Sequence, residues 1–289
     1  GVPSIAMAFI SDEFHKKSLG KVMGLYIAGN SIGGMFGRLA TGVFTDLWNW
    51  HVALTIIGLI SIFLSFYFKF ALPTAEVQKP ATKKTETGLH RFTGHLKNPA
   101  LVSLFLVAFL IMGGFVTLFN YIGYRLSDPP YNLSQTIIGA IFIVYITGTL
   151  SSAWMGALAD KKGQGPVALL SLAIMIIGGL GTLASNLIVV ILFIAVFTFG
   201  FFGIHSVASR WVGDWAGTNK TQASSLYLLL YYGGSSIVGV TGGYFWSRYN
   251  WIGVILLVTL LLVLAFFLVL YVSQRQARLQ NLRATTSLK

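Results

Sequence analysis

From position 163 to position 209 the chain runs for 47 residues without one Asp, Glu, Lys or Arg. A bilayer core about 30 Å thick takes about 20 apolar residues of helix, so this stretch is two passes, and Ser185-Asn186 is the natural place for the turn between them. Charge-poor stretches of single-pass length recur along the rest of the sequence. They place spans at 22–44, 50–72, 99–124, 136–158, 166–185, 187–209, 222–246 and 251–272. Eight helices in lipid make the fold all-α and polytopic. Composition agrees, since 10% of residues are charged against about 25% in average soluble chains.

Positively charged loops stay on the cytoplasmic side, so the Lys and Arg positions set the orientation. Loops and ends flanking alternate spans hold 17 of the 20 basic residues, from Lys16, Lys17 and Lys21 before the first span to Arg275, Arg278, Arg283 and Lys289 after the last. The opposite side holds Arg125 and Arg248, and Arg38 falls inside the first span. A net charge of +12 is therefore read as topology with a cytoplasmic C-terminus, not as a groove for nucleic acid. Six of the tryptophans, Trp48, Trp50, Trp211, Trp215, Trp246 and Trp251, fall at span ends, where an interfacial aromatic belt is expected.

The chain repeats itself at a spacing of 201, pairing Leu25 with Leu226, Tyr26 with Tyr227, Gly33 with Gly234, Gly42 with Gly243 and Asn49-Trp50 with Asn250-Trp251. A one-residue shift carries the match back through Gly1 and Gly203. Parallel repeats about an axis along the membrane normal are a transporter construction. If Gly1 corresponds to Gly203, roughly 105 residues precede Gly1, and the whole has twelve helices in two halves. Residues 1–10 then read as the end of a helix rather than a signal peptide.

Two motifs carry a resemblance. Gly156-Ala157-Leu158-Ala159-Asp160-Lys161-Lys162-Gly163 resembles the G-x-L-a-D-[RK]-x-G loop signature of the major facilitator superfamily of secondary transporters. Gly29-Asn30-Ser31-Ile32-Gly33-Gly34-Met35-Phe36-Gly37-Arg38 resembles the glycine-rich fifth-helix motif of that family's antiporters, with Gly34 where proline is usual. Together with the wording of residues 114–125 it is similar to the drug:proton antiporter branch. The resemblance implies a helical bundle in which residues 1–72 are the remaining part of the first half, 73–97 a cytoplasmic linker and 98–289 the second half. It also implies that the loop of Gly156, Asp160, Lys161 and Gly163 latches one transport state. On the residues alone, the loop glycine allows close helix approach and Asp160 can face a helix N-terminus. Gly29, Gly33 and Gly37, with Gly34 beside them, allow close helix packing.

Polar side chains inside spans should face a cavity or a partner helix. Thr117, Asn120, Tyr121 and Tyr124 share one helical face at i, i+3, i+4 and i+7, and Tyr227, Tyr231 and Ser235 share another. An aromatic and hydroxyl lining suits an amphiphilic small-molecule substrate, while interhelical hydrogen bonding is the plainer reading. Arg38 either meets an anionic group or snorkels outward near Asp46. His205 is an imidazole within a span, a group whose unperturbed pKa lies near the physiological range, and is either a proton-coupling group or a packing residue. No cofactor, metal site or phosphate loop is expected, and the chain is not an enzyme. The expected function is a monomeric, proton-coupled transporter in the cell membrane, exporting a small organic compound. Uptake of a sugar or other metabolite, or a non-transporting sensor or scaffold, is the alternative.

Overall fold

A computed structural model describes residues 16–71, 94–217 and 220–286. The expectations for residues 1–10 and for most of the linker lie outside them. The described residues are helical throughout, with no strand. We label the helices α1 (Lys16–Leu47), α2 (Trp50–Ala71), α3 (Pro99–Ser127), α4 (Gln135–Ala140, continued by a 3-10 turn Ile141–Val144), α5 (Tyr145–Lys162), α6 (Gln164–Gly181) and α7 (Leu187–Trp215). The long helix Lys220–Thr286 is broken at Asn250, whose φ is 51°, into α8 (220–249) and α9 (251–286). The eight expected spans thus correspond to α1, α2, α3, α4 with α5, and α6 to α9. Among the described residues six helical stretches are apolar and long enough to cross a bilayer, the last being the two-span length of α8 and α9, and α1 falls outside that set.

The helices form two compact units. The first joins the α1–α2 hairpin to residues 127–143, and the second holds α3 and α5 to α9. In the first unit α1 ends at Leu47, and Asn49 Oδ1 accepts the amide of Val52 at 3.0 Å to start α2. α1 crosses α4 through two glycines. A Cβ at Gly42 would meet Thr136 Cα at 3.2 Å, and one at Gly139 would meet the Arg38 carbonyl oxygen at 2.9 Å. Contact that close requires both positions to lack a side chain. α2 is apolar on all sides and exposes Leu59, Phe63, Phe66 and Phe70, the pattern of a helix whose solvent is lipid or further helix.

The second unit is packed around α3, α6 and α7, where Leu104, Ile111, Leu172, Met175, Ile194, Phe197 and Trp211 are buried. α6 and α7 approach to backbone contact, because a Cβ at Gly200 would lie 2.7 Å from Met175 Cα and one at Gly178 would lie 2.5 Å from Phe197 Cα. The turn falls where the sequence places it. α6 ends at Gly181, and Asn186 Oδ1 accepts the amides of Ile188 and Val189 at 2.9 and 3.2 Å.

The tryptophan belt needs correction. Trp48 and Trp50 are exposed, but Trp211 is 1% and Trp251 is 6% exposed. Their indole N–H groups are used inside the protein: Trp211 donates to Gln276 Oε1 at 2.6 Å, and Trp251 to the Thr182 carbonyl at 3.2 Å. A tryptophan at a span end can thus serve tertiary packing as readily as the membrane interface.

Candidate functional site

In the second unit, aromatic side chains from four helices converge. α3 supplies Phe115 and Phe119, α5 supplies Tyr145, α7 supplies Phe201, Phe202 and His205, and α8 supplies Tyr227 and Tyr231. Phe115 stacks on Phe201 with centroids 3.8 Å apart, Phe119 meets Tyr145 edge-on at 5.3 Å, and Phe201 lies parallel to His205 at 6.0 Å. His205 in turn lies 4.7 Å from Tyr231, and its Nδ1 is 3.0 Å from the Tyr227 hydroxyl. Tyr227 is 2% exposed, whereas His205, Tyr231, Tyr145 and Phe202 are half-buried. The cluster therefore has a polar root, the His205–Tyr227 pair with the Tyr227 side buried, and a half-open aromatic rim. Its ring set can stack a flat or amphiphilic molecule.

The other face chosen from the sequence does something different. Tyr121 donates its hydroxyl to the Gly239 carbonyl on α8 at 3.1 Å, and a Cβ at Gly242 would sit 2.6 Å from the Tyr121 ring and 2.7 Å from Thr117 Cγ2. Thr117 and Tyr121 are thus pressed against α8. Thr117 Oγ1 is buried and has no hydrogen-bond partner among the described residues. Asn120 and Tyr124 are exposed, Tyr124 beside Trp246 at 6.0 Å. Ser235 donates to the Tyr232 carbonyl of its own helix at 2.8 Å. Of the seven polar residues singled out in α3 and α8, only Tyr227 and Tyr231 meet His205.

At one end of the same unit, Asp160 forms an ion pair with Arg210 of α7, and Gln164 donates to Asp214 of α7 at 2.7 Å. Gly163 turns the chain between α5 and α6 with φ at 89°, a conformation that favours glycine. Gly156 faces Ser206, which a Cβ would meet at 3.6 Å, and Lys161 and Lys162 are exposed. Asp160 does not face a helix N-terminus as its surroundings in sequence suggest. That role belongs to Asp46 in the first unit, whose two carboxylate oxygens accept the α4 amides of Gln135 at 2.9 Å and Thr136 at 2.6 Å. Arg38 lies over the Phe142 ring, 4.5 Å from its centroid, and donates to the Gly34 carbonyl at 3.4 Å. Added Cβ atoms at Gly29, Gly33 and Gly37 would meet nothing within 4 Å, and one at Gly34 only the Arg38 side chain.

Residues 1–130 and 128–287 both match the sequence profile of the Major Facilitator Superfamily. The chain belongs to that superfamily. Its relatives include an uncharacterized MFS-type transporter, YybF, of Bacillus subtilis (strain 168), 46% identical over 95% of this chain and 68% of its own length. The inner membrane transport protein YnfM of Escherichia coli (strain K12) is 45% identical over 92% of this chain and 64% of its own length. The chain spans about two thirds of the length of these curated relatives. A solved structure of a bacterial homolog to the human lysosomal transporter Spinster matches with a TM-score of 0.69 over 93% of this chain and 74% of that chain, at 13% identity. At that identity the likeness concerns the fold alone.

Several contributors to these sites carry no local signal in the sequence. Phe115, Phe201 and Phe202 sit in runs of apolar residues, where nothing separates a ring facing the cluster from one facing lipid. Arg210 counted only as a positive charge near a helix end. Its offset of 50 residues from Asp160 carries no local signal, and only the packing of α5 on α7 brings the pair together.

Proposed function

We propose that this chain belongs to a secondary active transporter that alternates access between the two sides of the membrane, driven by proton exchange and exporting a small organic compound. The observation that carries the reading is the His205–Tyr227 hydrogen-bonded pair at the root of the aromatic cluster. A neutral imidazole can receive a proton from one side while the half-buried rings of Tyr231, Tyr145 and Phe202 hold an apolar substrate, so that protonation and substrate binding act on one another through shared contacts. In this reading residues 1–72 and 98–289 are parts of the two halves, residues 73–97 join them on the cytoplasmic side, and the Asp160–Arg210 pair holds one of the alternating states. The basic excess keeps the C-terminus cytoplasmic, and the protein acts as a monomer in the cell membrane.

The test is transport by the protein as encoded by its gene, in vesicles, with external pH stepped from about 5 to about 8. Wild type is expected to show rates that depend on pH. His205→Ala is expected to lose that dependence while still exchanging substrate across the membrane. A His205→Ala protein with the wild-type pH profile would remove the proton role from this residue.

A further inference from the structure

The Tyr227 hydroxyl decides which nitrogen of His205 carries the hydrogen. Tyr227 is 2% exposed, and its hydroxyl has His205 Nδ1 as its hydrogen-bond partner at 3.0 Å, with no other among the described residues. A hydroxyl has one hydrogen to place, and a buried one left without an acceptor bears the full cost of its lost hydration. Tyr227 therefore donates and Nδ1 accepts. A neutral imidazole that accepts at one nitrogen carries its hydrogen on the other. His205 accordingly presents an Nε2–H donor.

That donor has no partner among the described residues. Nor is it sealed in, because His205 is half-buried and the polar side-chain atom that is both buried and unpaired among them is Thr117 Oγ1. The same holds for the hydroxyl of half-buried Tyr231, whose ring lies 4.7 Å from that of His205. Two donors of one aromatic cluster thus stand unpaired and accessible side by side. The Phe201 ring, parallel to the imidazole at 6.0 Å, offers stacking surface alone.

We infer that His205 and Tyr231 set the specificity of the cluster for a flat molecule bearing a hydrogen-bond-accepting carbonyl oxygen, in its simplest form an aromatic ketone, and that Tyr227 is the positioning residue that holds His205 in the donating tautomer. A carbonyl oxygen has two lone pairs, one for each donor. Fused rings beside it would stack on the rim, whereas a molecule of the same shape without the oxygen leaves both donors unpaired when it displaces their water. This assignment rests on the transport reading above and adds the hydrogen-bonding chemistry of the substrate to it.

The experiment is equilibrium binding of radiolabelled 9-fluorenone and fluorene, two flat tricycles that differ in the carbonyl, to the purified protein as its gene encodes it, in nanodiscs, with empty nanodiscs as the blank. Wild type is expected to bind fluorenone about tenfold more tightly than fluorene. His205→Leu is expected to bring the two to equal affinity, His205→Gln, which keeps an N–H near the side-chain tip, to restore part of the preference, and Tyr231→Phe to reduce it severalfold. Fluorene binding, which needs only the rings, reports an intact cluster in each variant. Nitrogen NMR of 15N-histidine-labelled wild type at about pH 8, with His205 assigned by its absence from His205→Leu, is expected to show hydrogen on Nε2 and none on Nδ1. Equal wild-type affinity for ketone and hydrocarbon, a preference that survives His205→Leu, or hydrogen on Nδ1 overturns the inference. Gradient-driven movement of ethidium, a flat ring system that needs only the stacking rim, in vesicles of the same preparation separates the two readings. Ethidium transport without a His205-dependent ketone preference defeats the carbonyl specificity alone, and a His205-dependent preference without gradient-driven movement upholds the specificity and defeats the transport reading.

Discussion

Asn49, Asn186 and Asp46 each accept backbone amides that the start of a helix leaves open. Asp46 takes the first two amides of α4, and hydrogen bonds from Thr136, its side chain first and its amide next, hold the Asp46 carboxyl down from an ordinary 3.8 to about 2. A depressed carboxyl stabilises the fold above its unfolded pKa and loses that effect as pH falls through the folded value. Wild type should therefore melt above Asp46→Asn at pH values over about 4, with the gap closing towards pH 2; a gap that does not change with pH across that window contradicts the contact. Tyr227 illustrates the same logic inside the second unit. Removing its hydroxyl in Tyr227→Phe leaves His205 Nδ1 without the partner it has at 3.0 Å, at a cost of about 1 kcal/mol. The variant should unfold at lower denaturant and show an altered pH profile of transport, whereas Tyr231→Phe, whose ring contact with His205 at 4.7 Å survives the change, should keep both.

At the scale of elements, helix ends and glycine crossings decide which helices can meet. Arg125 of α3 donates to the Thr182 and Ala184 carbonyls just past the end of α6, where a cation complements the helix dipole. It also lies 5.3 Å from the Trp251 ring, and Trp251 donates to the same Thr182 carbonyl. Arg125 thus ties α3, α6 and α9 together. Arg125→Ala should lower stability by about 2 kcal/mol, read as a fall in melting temperature, and Arg125→Lys should recover only part of it because a single ammonium cannot follow both carbonyls as the fork does. The α6–α7 crossing is less forgiving. A side chain at Gly200 would press on Met175 backbone, so Gly200→Val should cost roughly 1–3 kcal/mol or prevent folding, and wild-type yield and melting temperature in that variant would contradict the crossing.

Across the whole molecule, what could be read in advance follows from how far each interaction reaches along the chain. The spans, the Ser185-Asn186 turn and the break near Asn250 depend on neighbouring residues, and hydropathy with turn chemistry locates them to within a few positions. The face shared by Tyr227 and Tyr231 is likewise visible as helical spacing. Its partner is not, because His205 reaches Tyr227 through the packing of α7 on α8, and the rings of Phe115 and Phe201 come from helices far apart in sequence. The same limit explains Thr117 and Tyr121, whose spacing marks a face but not that Gly239 and Gly242 of α8 cover it. Charge was silent as pairing, since Asp160 and Arg210 are joined only in the fold. Movement of a substrate against a proton flow is tested most directly by imposing a pH gradient in each direction across vesicles carrying the protein as its gene encodes it and following an organic probe such as ethidium. The probe is expected to accumulate when the gradient drives protons opposite to its movement, and the accumulation to reverse when the gradient is inverted; movement indifferent to the gradient, or no movement in vesicles that hold folded protein, would contradict proton-driven export.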